Sequence, residues 1–252
     1  MMTLRSLLFL AFLVVTVLAY AIFILLAGRW LTRAQLRATT RSWSALVLAG
    51  LRRTCGLDYR LIGQERLPAE PCILMSNHQS AWETIALPGI IPLPQTWVLK
   101  QELMQVPFFG WALRRYRPIA IDRKAGRQAM RRLLSQGQQA LEAGDSILVF
   151  PQGTRVAVGQ RVPFNIGAAV LAEKSGAPVV PIAHNAGVFW KRRGLRKLPG
   201  RIDVVIGPPI TTAGLSAKEI NALAEASINR TLDSLPARQR RASGERVISS
   251  TD

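Results

Sequence analysis

Apolar residues are unevenly distributed along this chain. Between positions 6 and 27 no charged residue interrupts an aliphatic and aromatic run whose only polar members are Ser6, Thr16 and Tyr20. Roughly 22 residues make about 33 Å of helix, enough to cross a bilayer core. A cleaved signal peptide would have a shorter apolar core of about 7–15 residues, followed by small residues at the cleavage site. Here basic and aromatic residues follow instead, Gly28-Arg29-Trp30-Leu31-Thr32-Arg33, so the segment is read as a retained membrane anchor. Arg5 alone precedes it, whereas Arg29, Arg33, Arg37 and Arg41 follow. That asymmetry puts the rest of the chain on the cytoplasmic side of the cell inner membrane. Positions 43–51 are apolar again but too short to span. They predict either an amphipathic helix on the membrane surface or a helix packed on the following domain.

From about Gly56 the pattern becomes one of alternating strands and helices. Runs rich in Val, Ile and Leu at 59–62, 72–75, 96–99, 119–121, 147–150, 179–182 and 202–206 predict strands. Several are continuously apolar, as strands covered on both faces of an α/β sheet are. Met130, Leu133, Leu134 and Leu141 fall at helical spacing between 127 and 143, and Gly144 is placed to end that helix. A short helix fits 167–174. Ser216 and Glu219 form a capping-box pattern that opens a helix running to 235, ended by Pro236. The polar, basic stretch 237–252 reads as a disordered tail. The organisation predicted is a membrane-associated helical segment over 1–53, one α/β domain over 54–236, and the tail.

Charge narrows the partners. Thirty-three Lys and Arg against fifteen Asp and Glu give a formal net charge of +18 over 252 residues. Such an excess implies an anionic partner: nucleic acid, acidic lipid or a phosphorylated substrate. A membrane-tethered nucleic-acid or lipid-binding protein would fit the charge, but stacking platforms need aromatics among the basic residues. The clusters at 114–117, 131–132 and 191–197 are mostly arginine, so they are assigned to a membrane rich in anionic lipids or an acidic carrier protein, not to nucleic acid. Two cysteines give no disulfide framework, and Cys72 in an apolar run reads as a buried, inert thiol. No Cys or second His stands at ligand spacing, so neither metal nor cofactor is expected. No G-x-S-x-G elbow supplies a serine nucleophile.

The chemistry concentrates at Asn77-His78-Gln79-Ser80-Ala81-Trp82-Glu83, directly after a predicted strand. In α/β sheets, sites gather at strand C-termini. His78 and Glu83 are not neighbours on one regular helix, because five residues rotate through about 500°. With His78 in the turn before the helix, Glu83 folds back toward it. A carboxylate on one imidazole nitrogen fixes the tautomer and leaves the other nitrogen to take a proton from an alcohol. His184, the only other histidine, has no carboxylate near it in sequence and is read as structural.

These residues carry a resemblance. Asn77-His78 through Glu83 is similar to the N-H-x-x-x-x-D block of the 1-acyl-sn-glycerol-3-phosphate acyltransferase family. Phe109-Gly110 with Ile121-Asp122-Arg123 resembles its second block. Phe150-Pro151-Gln152-Gly153-Thr154-Arg155 resembles F-P-E-G-T-R, and Val180-Pro181-Ile182 the fourth block. The stretch Val98 to Leu103 also resembles a family segment. The likeness spans about residues 55–210, in block order. It departs at Glu83, where the family has Asp, and at Gln152, where it has Glu.

The resemblance implies a glycerolipid acyltransferase-like fold and direct acyl transfer without an acyl-enzyme. His78 would deprotonate the free hydroxyl of a lysophospholipid, with lysophosphatidic acid giving phosphatidic acid. That oxygen would attack the thioester of acyl-CoA or acyl carrier protein. Arg123 and Arg155 would clamp the phosphate, with Lys100 assisting and Gly153 and Thr154 supplying a turn and a hydroxyl near the anion. Gln152 removes a charge near that phosphate, which keeps another lysolipid, such as lyso-ornithine lipid, as an alternative acceptor.

Overall fold

A computed structural model describes residues 2–235; the tail expected at 237–252 lies outside them. The chain opens with two long helices, α1 (Met2–Ala27) and α2 (Arg33–Cys55). There follow β1 (Leu57–Ile62), β2 (Ile73–Ser76), α3 (Trp82–Ile90), β3 (Gln95–Lys100), α4 (Phe109–Leu113) and β4 (Ile119–Ile121). The second half adds α5 (Arg127–Glu142), β5 (Ser146–Val149), α6 (Gly167–Ser175), β6 (Val179–His184), α7 (Ala186–Phe189), β7 (Gly200–Ile206) and α8 (Ala217–Ser234). All seven predicted strands form. They make one sheet in the order β1-β7-β6-β2-β5-β3-β4, parallel except for the antiparallel β6–β7 pair.

The continuously apolar runs follow from cover on both faces. Along β2 and the residue before it, Cys72 and Leu74 enter one core with Trp82, Leu87 and Ile182, while Ile73 and Met75 enter the other with Leu133, Leu171 and Ile220. Successive strand residues point to opposite faces, so a strand with helices above and below has no solvent side to mark with polar residues. Burial pushes the Cys72 thiol up to about 11, against the opposing hydrogen bond to Ser146, which fits an inert core sulfur.

The N-terminal helices share the first of these cores. Val47, Leu48, Leu51 and Cys55 of α2 are buried there, so positions 43–51 belong to a helix packed on the domain. Predicted as a short apolar stretch, this helix in fact extends from Arg33, because Thr32 and Gln35 form a reciprocal capping box that starts it. Helix α1 lies against α2 and the domain along its length. Near its start, Phe9 is fully buried and meets Trp190 edge-on at 5.7 Å, and Ser6 Oγ accepts the Lys197 N–H at 2.9 Å. Near its end, Ala21 and Ile24 pack with Leu36 and Ala112. The Lys197 ammonium lies 4.8 Å from the Trp190 ring centroid, and burial pushes its pKa down. Two glycines permit the close approaches: a Cβ at Gly50 would come within 2.4 Å of the Phe12 ring, and one at Gly89 within 2.2 Å of Ser44. The outward face of α1 stays apolar, with Leu8, Val15 and Leu26 exposed. By length and composition α1 can cross a membrane.

Candidate active site

The C-terminal ends of the parallel strands β2, β3, β4 and β5 form one rim, and every residue predicted for the site stands on a loop leaving that rim or at its edge. His78 follows β2, Lys100 ends β3, Arg123 follows β4, and Gln152 to Arg155 follow β5.

His78 sits in the turn before α3, and Glu83 in the first turn of that helix. The Glu83 carboxylate folds back. Its Oε1 lies 2.8 Å from His78 Nδ1 and accepts the backbone N–H groups of Gln79 and Ser80 at 2.7 and 2.6 Å. One carboxylate therefore ties down the turn before the helix and orients the imidazole, while the Ser80 hydroxyl accepts the N–H of Trp82 at 3.1 Å. Burial alone would push the Glu83 carboxyl up. The pull of His184, the hydrogen bond and charge of His78 and the Ser80 N–H outweigh it, so the carboxyl lies below its ordinary range. An ionised, acceptor-only Glu83 makes Nδ1 the donor. The lone pair is then on Nε2, which has no protein partner among the described residues.

The loop after β5 encloses the same histidine. Gln152 Oε1 accepts the His78 N–H at 2.6 Å, the Val156 N–H donates to the His78 carbonyl at 2.8 Å, and the Phe150 ring stacks on the imidazole at 4.4 Å. Gln152 thus turns inward to the His78 backbone, a role its neighbours in sequence did not reveal. A carboxylate oxygen would accept the same N–H.

A second network lies beneath. The Asn77 side chain donates to the His184 carbonyl and accepts the His184 N–H, at 3.0 and 2.9 Å. His184 Nδ1 accepts the Ala186 N–H, so Nε2 carries the proton and donates to the Asn77 carbonyl at 2.9 Å. His184 is fully buried, and burial pushes its pKa down despite the attraction of Glu83. It is a neutral structural pin, as the sequence indicated.

Arg123 and Arg155 stand on loops that leave the same rim, and Lys100 at the end of β3. Arg123 donates to the Gly153 carbonyl, tying the loops after β4 and β5 together. Arg155 directly precedes Val156, and its buried Nε has no hydrogen-bond partner among the described residues. Lys100 pairs with Glu102 at 2.7 Å. Arg192, assigned by sequence only to a basic surface, donates to Thr154 Oγ1 at 3.3 Å. No sequence signal ties it to the site, because its contact spans 38 positions. Val180, Pro181 and Ile182 are buried strand residues, walls without reactive groups.

A protein-family model described as acyltransferase matches residues 58–185, from the start of β1 through the His184 pin. The 1-acyl-sn-glycerol-3-phosphate acyltransferase of Pseudomonas aeruginosa is 43% identical over 215 residues, covering 84% of this chain and 83% of that one. The chain belongs to the 1-acyl-sn-glycerol-3-phosphate acyltransferase family. It is an O-acyltransferase. The human 1-acyl-sn-glycerol-3-phosphate acyltransferase alpha is 30% identical over 182 residues, which span 71% of this chain and 64% of the human protein. The fold matches the crystal structure of the 1-acyl-sn-glycerophosphate acyltransferase from Thermotoga maritima with a TM-score of 0.78, at 23% identity over 94% of this chain and 97% of that one.

Proposed function

We propose that this protein transfers an acyl chain from acyl-CoA or acyl carrier protein to the free hydroxyl of lysophosphatidic acid, giving phosphatidic acid. The observation that carries the reading is the His78–Glu83 pair, with Nδ1 engaged and Nε2 open, on the rim of a family member whose relatives bear that name. His78 Nε2 takes the hydroxyl proton as the oxygen bonds to the thioester carbonyl carbon. The tetrahedral intermediate then expels the thiolate, which takes that proton back from the imidazolium, so the base is regenerated and no acyl-enzyme forms. Glu83 stabilises the transient imidazolium. Arg155 and Arg123 bind the phosphate, with Lys100 on the rim beside them. Gly153 and Thr154 shape that loop, and Gln152 holds the His78 backbone.

The protein works at the cytoplasmic face of the inner membrane, held there by the apolar outer face of α1, with anionic lipid around its arginines. Purified protein assayed with both donors against lysophosphatidic acid and lysolipids of other headgroups, lyso-ornithine lipid included, tests the assignment. Preferred turnover of lysophosphatidic acid supports it. Preferred turnover of another lysolipid, or full turnover by a folded H78A protein, refutes it. Protease reaching the domain from outside intact cells would refute the orientation.

A further inference from the structure

Far from His78, the molecule holds a second concave basic site that the chemistry above does not use. A cavity of about 610 Å³ opens where α1 ends and α2 begins. Six arginines line it: Arg29, Arg33, Arg37, Arg114, Arg115 and Arg117. Asp145 is its one acidic lining residue. That aspartate is already paired with Arg33 and Arg37 at 3.5 and 3.4 Å, which leaves four guanidiniums without a carboxylate among the described residues. Gln95 and Asp145 mark its floor at the N-terminal ends of β3 and β5. His78 stands beyond the opposite ends of the strands, roughly 15–20 Å away at about 3.3 Å per residue.

Concentrating cations this way is unfavourable without an anion. Arg117 is also held in the left-handed region at φ 50°, a conformation rare for a non-glycine residue. The planar, always-charged guanidinium forks suit phosphate oxygens. The position says where the phosphate comes from. The cleft wall includes Gly28, Arg29 and Leu31, the residues that follow the apolar α1. Between them Trp30 is exposed, with the Arg29 guanidinium 4.0 Å over its ring. Trp and Arg at the end of an apolar helix mark the headgroup level of a bilayer.

We propose that this cleft binds the phosphate headgroup of an anionic phospholipid, separately from the acceptor in the active site. It deepens the membrane reading of α1 and is independent of the reaction assigned to His78. The test uses the full-length protein, vesicles of pure phosphatidylcholine or of phosphatidylcholine with phosphatidylglycerol, and water-soluble short-chain phosphatidylglycerol. The variant R29Q/R115Q/R117N keeps all residues of the catalytic rim; asparagine tolerates the backbone at 117. Wild type should prefer the anionic vesicles, and the triple variant should lose that preference by about a hundredfold. Its binding to phosphatidylcholine vesicles through α1 should be unchanged, and R29K/R115K/R117K should retain most of the preference.

A charge-matched variant elsewhere, R127Q/K174Q/K218Q, at exposed positions outside the arginine clusters, should behave as wild type; an equal loss there would mean diffuse attraction and would sink the cleft. Inorganic phosphate binding as well as the soluble lipid would overturn the lipid assignment. So would a triple variant that keeps its anionic preference but loses transfer from acyl carrier protein, since that pattern belongs to protein docking. Failure of wild type to bind any vesicle would count against the membrane reading of α1. The cleft would still stand if soluble phosphatidylglycerol bound wild type and R29K/R115K/R117K but not R29Q/R115Q/R117N, and would fall if it bound none of them.

Discussion

His78 is held from three directions, and each hold predicts a different phenotype. H78A removes the proposed base and should cut turnover by about a hundredfold or more, with an unchanged circular dichroism spectrum. E83A removes the partner of Nδ1 and of two backbone N–H groups, so it should lose activity and also about 2–4 kcal/mol of stability, since buried donors are left unpaired. A chemical denaturation curve separates the two variants. Q152E should keep turnover within a few-fold and the same headgroup ranking, because a carboxylate accepts the His78 N–H as the amide does. Q152A orphans that N–H and should cost about 1–3 kcal/mol, read as lower kcat with little change in KM. R155A should raise the KM for the lysolipid far more than for the acyl donor; a donor-only effect would remove Arg155 from the phosphate clamp. The His78–Glu83 pair was legible in sequence because its members are only five positions apart, directly after a predicted strand. The inward turn of Gln152 and the reach of Arg192 to Thr154 were not, because both contacts cross long stretches of chain, and only the assembled rim brings them together.

Elements declared themselves where local signals agreed. The strands stood out as β-branched runs, and α8 by its Ser216–Glu219 capping box, which forms. The bounds of α3 and α4 gave no clear signal: α3 is nine residues long and its N-cap residue, Ala81, makes no side-chain capping bond. The attachment of α1 was also hidden, because a run apolar on all sides reads alike whether it faces lipid or a protein slot. Phe9 decides the matter locally. F9A opens a cavity between Trp190 and the first core and should lower stability by about 3–4 kcal/mol, seen as a fall in Tm in detergent. G89V drives α2 from α3 at the Ser44 contact and should destabilise comparably. Because α3 carries Glu83, it should also lower kcat, whereas F9A protein kept folded by low temperature should turn over normally.

At the scale of the whole molecule, two buried groups give the fold an acid-sensitive side. The folded-state pKa of His184 lies below its ordinary 6.5, so on acidification the unfolded chain takes a proton that the folded chain refuses, and stability falls as pH drops below about 6.5. The folded-state pKa of Glu83 lies below its ordinary 4.5, so its contribution, present above that value, is lost at still lower pH. Denaturation midpoints should therefore fall from pH 7.5 to 5.5, and H184Q should flatten that part of the profile; a flat wild-type profile would contradict it. The contact of Ser6 with Lys197 has a consequence of another kind. It joins residues 191 positions apart, so α1 leaves the ribosome well before the slot into which it docks is complete. At about 5–20 residues per second, α1 must wait roughly ten to forty seconds for Trp190 and Lys197 to emerge. The bilayer is a holding place for so apolar a helix, and completion of this enzyme is then timed by translation.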